Sequence, residues 1–527
     1  MPENTTAVVT FAATDQDGDA LTYTLSGDDA TLFNIDSTTG TVSFIDAPDF
    51  EVPADADVDN VYEITVTATD NGTPNLSDSQ NVSITVTDVE LNLLVDTTAD
   101  TINESDGFTS LREAITAANS NPDFNTILFD STVFATPRVI NLQSQLPTIT
   151  TDLTINGPGA RLLTIDAGNG ADGVAGNQDG FRILELNDGV NGANNRIEVN
   201  LSGVTLTGGD TSGNGGAIEN LDEQLTLTGV EITGNTGNTG GGIDNLNGIL
   251  TVNDSSFSDN TSKASGSAGG GAIFSQQGNL TVNNSTFSGN SAVEHGGAIA
   301  TIRANATISN STIVGNSVGS SGGQVSANSD TSITISNSII AANSPGGDLS
   351  TDANSSIAAE FSLIGDGDGV SITDNGGNLI GSSSGAGVVN PLLGPLADNG
   401  GPTRTHALLV GSPAIDAGNS ALPTDQRGST RPVDNPTIAN AAGGNGSDIG
   451  AVEQGEAGSL IVTTNSDLVD DTDFVTSLRE AIAFADSQTG ADTITFDSTV
   501  FATPQVINLV SQLPTITTDL TLSLIHI

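Results

Sequence analysis

A short internal period across residues 200–345 constrains this chain more than any other feature. An apolar column reads Ile232, Phe257, Phe287, Ile313 and Ile339, in steps of 25, 30, 26 and 26. An Asn follows each one: Asn235, Asn260, Asn290, Asn316 and Asn343. Upstream lie alternating segments such as Leu250-Thr-Val252 and Leu280-Thr-Val282, and Gly pairs such as Gly241-Gly242 and Gly270-Gly271. Alternation of period two makes strands with one buried face. Three short strands and three turns in about 26 residues are too few for a sandwich or a propeller blade. They suit one coil of a right-handed parallel β-helix, each coil pairing with the next at about 4.8 Å. A leucine-rich solenoid would need a denser Leu pattern. Inside, the apolar column stacks; at one turn the Asn amides ladder, and Gly pairs allow tight bends. The 30-residue step is an outward loop through Thr261–Ala268, which carries the one Lys, Lys263. The helix is expected from about 125 to 455.

A second repeat spans 367 residues. Ser110-Leu-Arg-Glu-Ala-Ile115 recurs as Ser477–Ile482, and Phe129–Pro137 as Phe496–Pro504. Ser110 with Glu113 has the capping-box form, and Leu111, Ala114, Ile115 and Ala118 follow at helical spacing. Each copy therefore predicts a short helix laid over the first coil, hiding its open edge. The domains expected are a β-sandwich over 1–92, a helix-capped parallel β-helix over 93–456, and a partial second copy over 457–527. The last residues, Ser523–Ile527, break the pattern and read as a truncation.

Eleven Lys and Arg stand against 64 Asp and Glu, a net charge of −53. Nucleic acid is a poor partner, because phosphate binding needs cations to displace counterions. Cys is absent, so neither disulfides nor thiolate metal sites are available. No run is long and apolar enough to span a membrane. Met1 is followed by Pro2-Glu3-Asn4 without a signal-peptide pattern, and we read the chain as part of a longer exported protein.

Two family resemblances rest on these motifs. The Ser-Leu-Arg-Glu-Ala segment, with Leu396–Leu408, Gly411–Gly418 and Asp448–Glu453, resembles bacterial exported β-helix proteins of the choice-of-anchor type. Those proteins usually carry Cys where this chain has Thr109 and Thr476. Residues 1–90 resemble a cadherin-type repeat. Pro2-Glu-Asn4, Asp15-Gln-Asp17, Asp49-Phe-Glu51, Tyr62–Asp70 and Val82–Asp88 appear in the family's order. Without the resemblance the same segments are alternating strands with Gly and Asp turns, hence an all-β sandwich. The resemblance implies Ca²⁺, with Glu3, Asp15, Asp17, Asp49, Glu51, Asp70 and Asp88 as candidate ligands. Carboxylate oxygens are the hard donors that Ca²⁺ takes. Asp15, Asp17 and Asp70 would serve an upstream junction, and Glu3, Asp49, Glu51 and Asp88 a downstream one.

The parallel β-helix is also the fold of pectin lyases and polygalacturonases, so an enzyme must be weighed. A polygalacturonase-like constellation needs a paired Asp, a His-Gly and an Arg-x-Lys on neighbouring coils. Asp28-Asp29 and Asp470-Asp471 lie outside the coils, and no Arg-x-Lys occurs. His295 precedes Gly296 in a turn column whose other members are not His, and His406 is expected to pack or cap. No catalytic residue is assigned. The expected role is a secreted or cell-surface protein of adhesion or matrix display, with an extracellular protein or glycan as partner. The alternative is a carbohydrate-active enzyme or glycan-binding β-helix.

Overall fold

A computed structural model describes all residues except 4, 51–52, 88–90, 104, 122–124, 171–172, 191, 193–194, 266–268, 320–321, 344–346, 456–458, 471–474, 488–491, 518 and 524–527. Glu51 and Asp88 thus lie outside the described residues. Two compact units emerge: Met1–Leu93 with Ala117–Ile127 and Thr151–Leu153, and the remainder. Among the described residues no helix is long and apolar enough to cross a membrane.

Residues 1–87 form two antiparallel three-stranded sheets. One has the order β1 (Ala7–Thr10), β4 (Thr41–Phe44), β3 (Phe33–Ile35); the other has β2 (Leu21–Ser26), β5 (Val61–Asp70), β6 (Ser77–Thr85). Alternate residues of β5 point inward, so Tyr62, Ile64 and Val66 are buried with Phe33, Phe44 and Ile84. Tyr62 meets both Phe rings edge-on, at 4.9 and 6.1 Å between centroids. That geometry suits the ring quadrupoles.

The other unit is the parallel β-helix. One sheet stacks ten strands from Arg138–Asn141 to Leu379–Ile380, another seven from Leu184–Leu186 to Leu349–Thr351, and both are wholly parallel. A third passes through Glu198–Ser202 to Ile372–Asp374. Ile232, Phe257, Phe287 and Ile313 stand in register and are fully buried. Beside them each Asn donates its backbone N–H and Nδ2 to the Oδ1 of the next, at 2.9–3.3 Å from Asn235 to Asn343. A Ser column, Ser255, Ser285, Ser311, Ser338 and Ser362, does the same through Oγ at 3.1–3.2 Å. Buried polar groups are tolerable only when paired like this, and the ladder pairs every step.

The apolar column differs from expectation at its last member. Ile313 aligns with Ile340, and Ile339 aligns with Thr312. The cause is one extra residue in the preceding turn: Ile302 pairs with Asn328, 26 on, but Asn305 pairs with Ser332, 27 on. That turn holds two left-handed residues, Ser329 and Asp330, where the coil before has Arg303 alone. A slip of one reverses which face a strand residue points to. Ile339 therefore faces outward, buried under Leu408, Ala414, Ile415 and Ile449. One Gly pair also shifts: Gly240, at φ 60°, takes the left-handed place that Gly215, Gly270 and Gly296 hold in their coils, and a Cβ on Gly241 would lie 2.2 Å from Gly271 O.

Both capping helices form, α1 over Leu111–Ala118 and α2 over Leu478–Ser487. In α1 the capping box is reciprocal: Glu113 N–H donates to Ser110 Oγ (3.2 Å) and Ser110 N–H to Glu113 Oε2 (2.8 Å). Leu111 and Ile115 are buried, and Arg112 spans Asp100 and the carbonyls of Ser144 and Gln145. Arg479 repeats this, 367 residues on, with Asp467, Ser511 and Gln512.

The coils do not continue to 455. The last parallel strand of these stacks is Leu379–Ile380, after which Leu393–Ala397 with Thr405–Leu408 forms an antiparallel hairpin; parallel pairing returns in the second copy, where Asp492–Phe496 pairs with Ile461–Val462 and Leu520–Leu522. Residues 403–451 then run back along the outside of the coils. Thr403 Oγ1 donates to Asp254 O, Gln426 Nε2 to Ser255 O, and Gly450 N–H to Asn337 O. His406 is buried between Gly394 O (2.7 Å) and Ser288 Oγ (3.0 Å), and burial holds its pKa below the usual imidazole value.

Candidate calcium centres

Residues 1–93 carry 18 Asp and Glu and no Lys, Arg or His. No cationic side chain of these residues is therefore available to offset their carboxylates, which leaves neutral hydrogen-bond donors, the terminal amine or a bound cation. Pairing of Leu21 with Asp70 brings the 15–20 loop beside the end of β5. Asp15 and Asp70 line one cleft of about 500 Å³ with Tyr23 and Asp78. Asp15 Oδ1 accepts the N–H groups of Asp17 and Asp19, both at 2.9 Å, and Asp70 Oδ1 those of Gly72 and Leu76, both at 3.0 Å. Asp17 is exposed and does not line the cleft, whereas Asp19, which the sequence reading passed over, comes close to Gly72 beside Asp70.

Glu3 is buried, with Oε2 accepting the Phe50 N–H at 3.0 Å and its own N–H donating to Thr87 O at 3.1 Å. It thus joins the loop that follows half-buried Asp49 to the end of the last strand. Of the upstream set, Asp15 and Asp70 thus line one cleft and Asp17 does not; of the downstream set, Glu3 bonds to the residue after Asp49, and Glu51 and Asp88 lie outside the described residues.

A third group escaped the sequence reading. Asp55, Asp57 and Asp59 place carboxylate oxygens within 4.8 Å of one another. Buried Asp29 shapes their loop, accepting the Ala56 N–H at 2.8 Å and the Glu63 N–H at 2.6 Å. Asp59 N–H donates to Asp55 Oδ2 at 2.8 Å, and Val58 and Asn60 adopt left-handed backbone. The negative charge of Asp59, more than burial, holds the Asp57 carboxyl above its ordinary value. The signal was available as acids at i, i+2 and i+4 followed by Asn60. These acids lie outside the positions that the cadherin resemblance implies.

On the β-helix an outward column stacks Glu185, Glu219 and Asp244 on successive coils. Arg182 bridges Glu185 and Glu219. Glu219 is 8% and Asp244 2% exposed, so neither carboxylate opens to solvent. Burial pushes the Asp244 carboxyl up to about 6, against the opposing Thr239 hydroxyl and Arg182 charge. The unfolded value is about 3.9, so the native state holds the extra proton between about pH 4 and 6. Stability is full below that window and falls as pH rises through it, by on the order of 3 kcal/mol. Asp244→Asn should match the wild type near pH 3, below the window, and melt higher at pH 8. Equal differences at both pH values would reject this.

Comparison with known proteins bears on the sandwich. Human Protocadherin Fat 1 is 42% identical over 73 residues, which is 14% of this chain and 2% of that protein. The chain thus spans a small fraction of that relative's length. The crystal structure of human Protocadherin-24 EC1-2 (form II) is 24% identical over 18% of this chain and 45% of that one, with a TM-score of 0.14. The family match carries more: residues 1–87, the sandwich that holds all three carboxylate groups, match the Cadherin domain.

Proposed function

We propose that this chain is a secreted or cell-surface repeat protein of adhesion or surface display, carrying a β-helix and a calcium-binding cadherin domain. The carrying observation is the Cadherin match over residues 1–87, with Asp15 and Asp70 of its expected ligand set in one cleft. Ca²⁺ would be held there and around Glu3, Asp49, Glu51 and Asp88, offsetting the repulsion of gathered carboxylates. The motifs at 110–115 and 396–453 favour an exported choice-of-anchor β-helix protein of bacterial type, with an extracellular protein or glycan as partner. Nucleic acid is disfavoured by the charge of −53.

We do not propose catalysis. The acid column at Glu185, Glu219 and Asp244 is the feature that favours a carbohydrate-active alternative, and its burial speaks for a structural role. The test is a Ca²⁺ titration of the full chain, following unfolding of the N-terminal unit. Melting should rise with half-saturation at roughly 10⁻⁴ to 10⁻³ M, and Asp15→Asn should weaken that response. An unmoved melting point at millimolar Ca²⁺ would remove the calcium-dependent reading. Release of unsaturated or reducing-end sugar from polysaccharides would replace it with the enzyme.

A further inference from the structure

The Asp55–Asn60 loop carries more than an acidic cluster. Asp55 is 4% exposed, and its buried Oδ1 has no hydrogen-bond partner among the described residues, while Oδ2 accepts the Asp59 N–H. Asn60 Oδ1 is likewise buried and has no donor among the described residues, although Asn60 Nδ2 donates to Phe50 O at 2.8 Å. A buried carboxylate normally finds a cation or a full set of donors. Residues 1–93 contain no Lys, Arg or His to supply one.

We infer that Asp55, Asp57 and Asp59, with the Asn60 side-chain oxygen completing the loop, form a Ca²⁺ site within the cadherin domain itself. This site is separate from the ligands proposed at its two junctions. Oxygens at about 2.3–2.6 Å from Ca²⁺ lie at most about 5 Å apart, and the three carboxylate oxygens, all within 4.8 Å of one another, can share such a shell. Such an ion would satisfy the orphaned Asp55 oxygen and relieve the repulsion between Asp57 and Asp59 in one step. It would also tie the start of β5 to the loop after Phe50, stiffening the sandwich without a neighbouring repeat.

The chain reports on both regions by itself, since it has two Tyr and no Trp. Tyr62 OH accepts the Ala54 N–H at 3.2 Å, beside this loop, and Tyr23 OH accepts the Ala13 N–H at 2.9 Å, beside the Asp15 cleft. Tb³⁺, a luminescent stand-in for Ca²⁺, should therefore be sensitised separately at each. With the full chain, excitation of tyrosine should give Tb³⁺ emission that Ca²⁺ displaces. Asp57→Asn with Asp59→Asn, both exposed positions, should weaken the Tyr62-dependent emission at least tenfold and remove one Ca²⁺ from the calorimetric stoichiometry. Tyr62→Phe should remove that emission and leave calorimetric Ca²⁺ binding intact. Asp15→Asn should leave it in place, so failure of the junction site does not count against the loop. Unchanged Ca²⁺ stoichiometry in the double variant, or emission that survives Tyr62→Phe in full, would overturn the site.

Discussion

Phe287→Ala should lower stability by about 3–5 kcal/mol, the cost of emptying a packed aromatic site. Phe287 lies fully buried, stacked on Phe257 at 4.7 Å and 5° between ring planes, with Ile313 next in register. The surrounding backbone is held by the Asn and Ser ladders on both sides, so the cavity has little freedom to collapse. Each coil contacts only its neighbours, so the loss should be local. Hydrogen exchange should quicken in the coils of Phe257, Phe287 and Ile313 and hold in the strand Leu163–Asp166. The exposed Val293→Ala serves as control. Equal effects of the two substitutions would show that Phe287 is not an interior residue.

Arg431→Met should cost a similar 3–5 kcal/mol, for an electrostatic reason. Arg431 and Glu453 form a fully buried pair at 2.8 Å, and Arg431 also reaches Asn284, Asn310 and the Gly450 carbonyl. Glu453 stands beside Asp448 and Asp416, and burial with the Glu453 charge drives the Asp448 carboxyl far above the carboxylate range. Removing the guanidinium strands a carboxylate among carboxyl groups with no solvent to absorb the charge. The folded-back segment 403–451 should detach first, seen as faster proteolysis there and a lower urea midpoint. Arg431→Met combined with Glu453→Leu should recover part of the loss, because two apolar side chains carry no desolvation cost. A double variant no more stable than the single would place the cost in lost packing instead.

Much of the coil was legible because its signals are local and repeated. Alternation marked the strands, the Asn column marked a turn, and the Ser-Leu-Arg-Glu box marked both helices. The error at Ile339 shows the limit of that reading. Two adjacent Ile residues fit the column equally well, and a single added turn residue chose between them. The Asp55, Asp57 and Asp59 group was written in the sequence at alternate positions, yet its meaning depends on the burial of one oxygen, which spacing does not reveal.

The sequence alone determined a parallel stack of coils, because a period-two pattern renewed every 25–30 residues can bury its apolar face only against its own neighbours. It also determined the acidic charge and the cadherin-like order of carboxylates. Tertiary structure decided what lies far apart in the chain. Glu185, Glu219 and Asp244 became one column, its last two members buried, only through coil stacking, and residues 403–453, which have no period, found their place by covering the outward Ile339 and pairing Arg431 with Glu453. Local patterns encode the face a residue presents; burial and charge pairing depend on which surface arrives to cover that face.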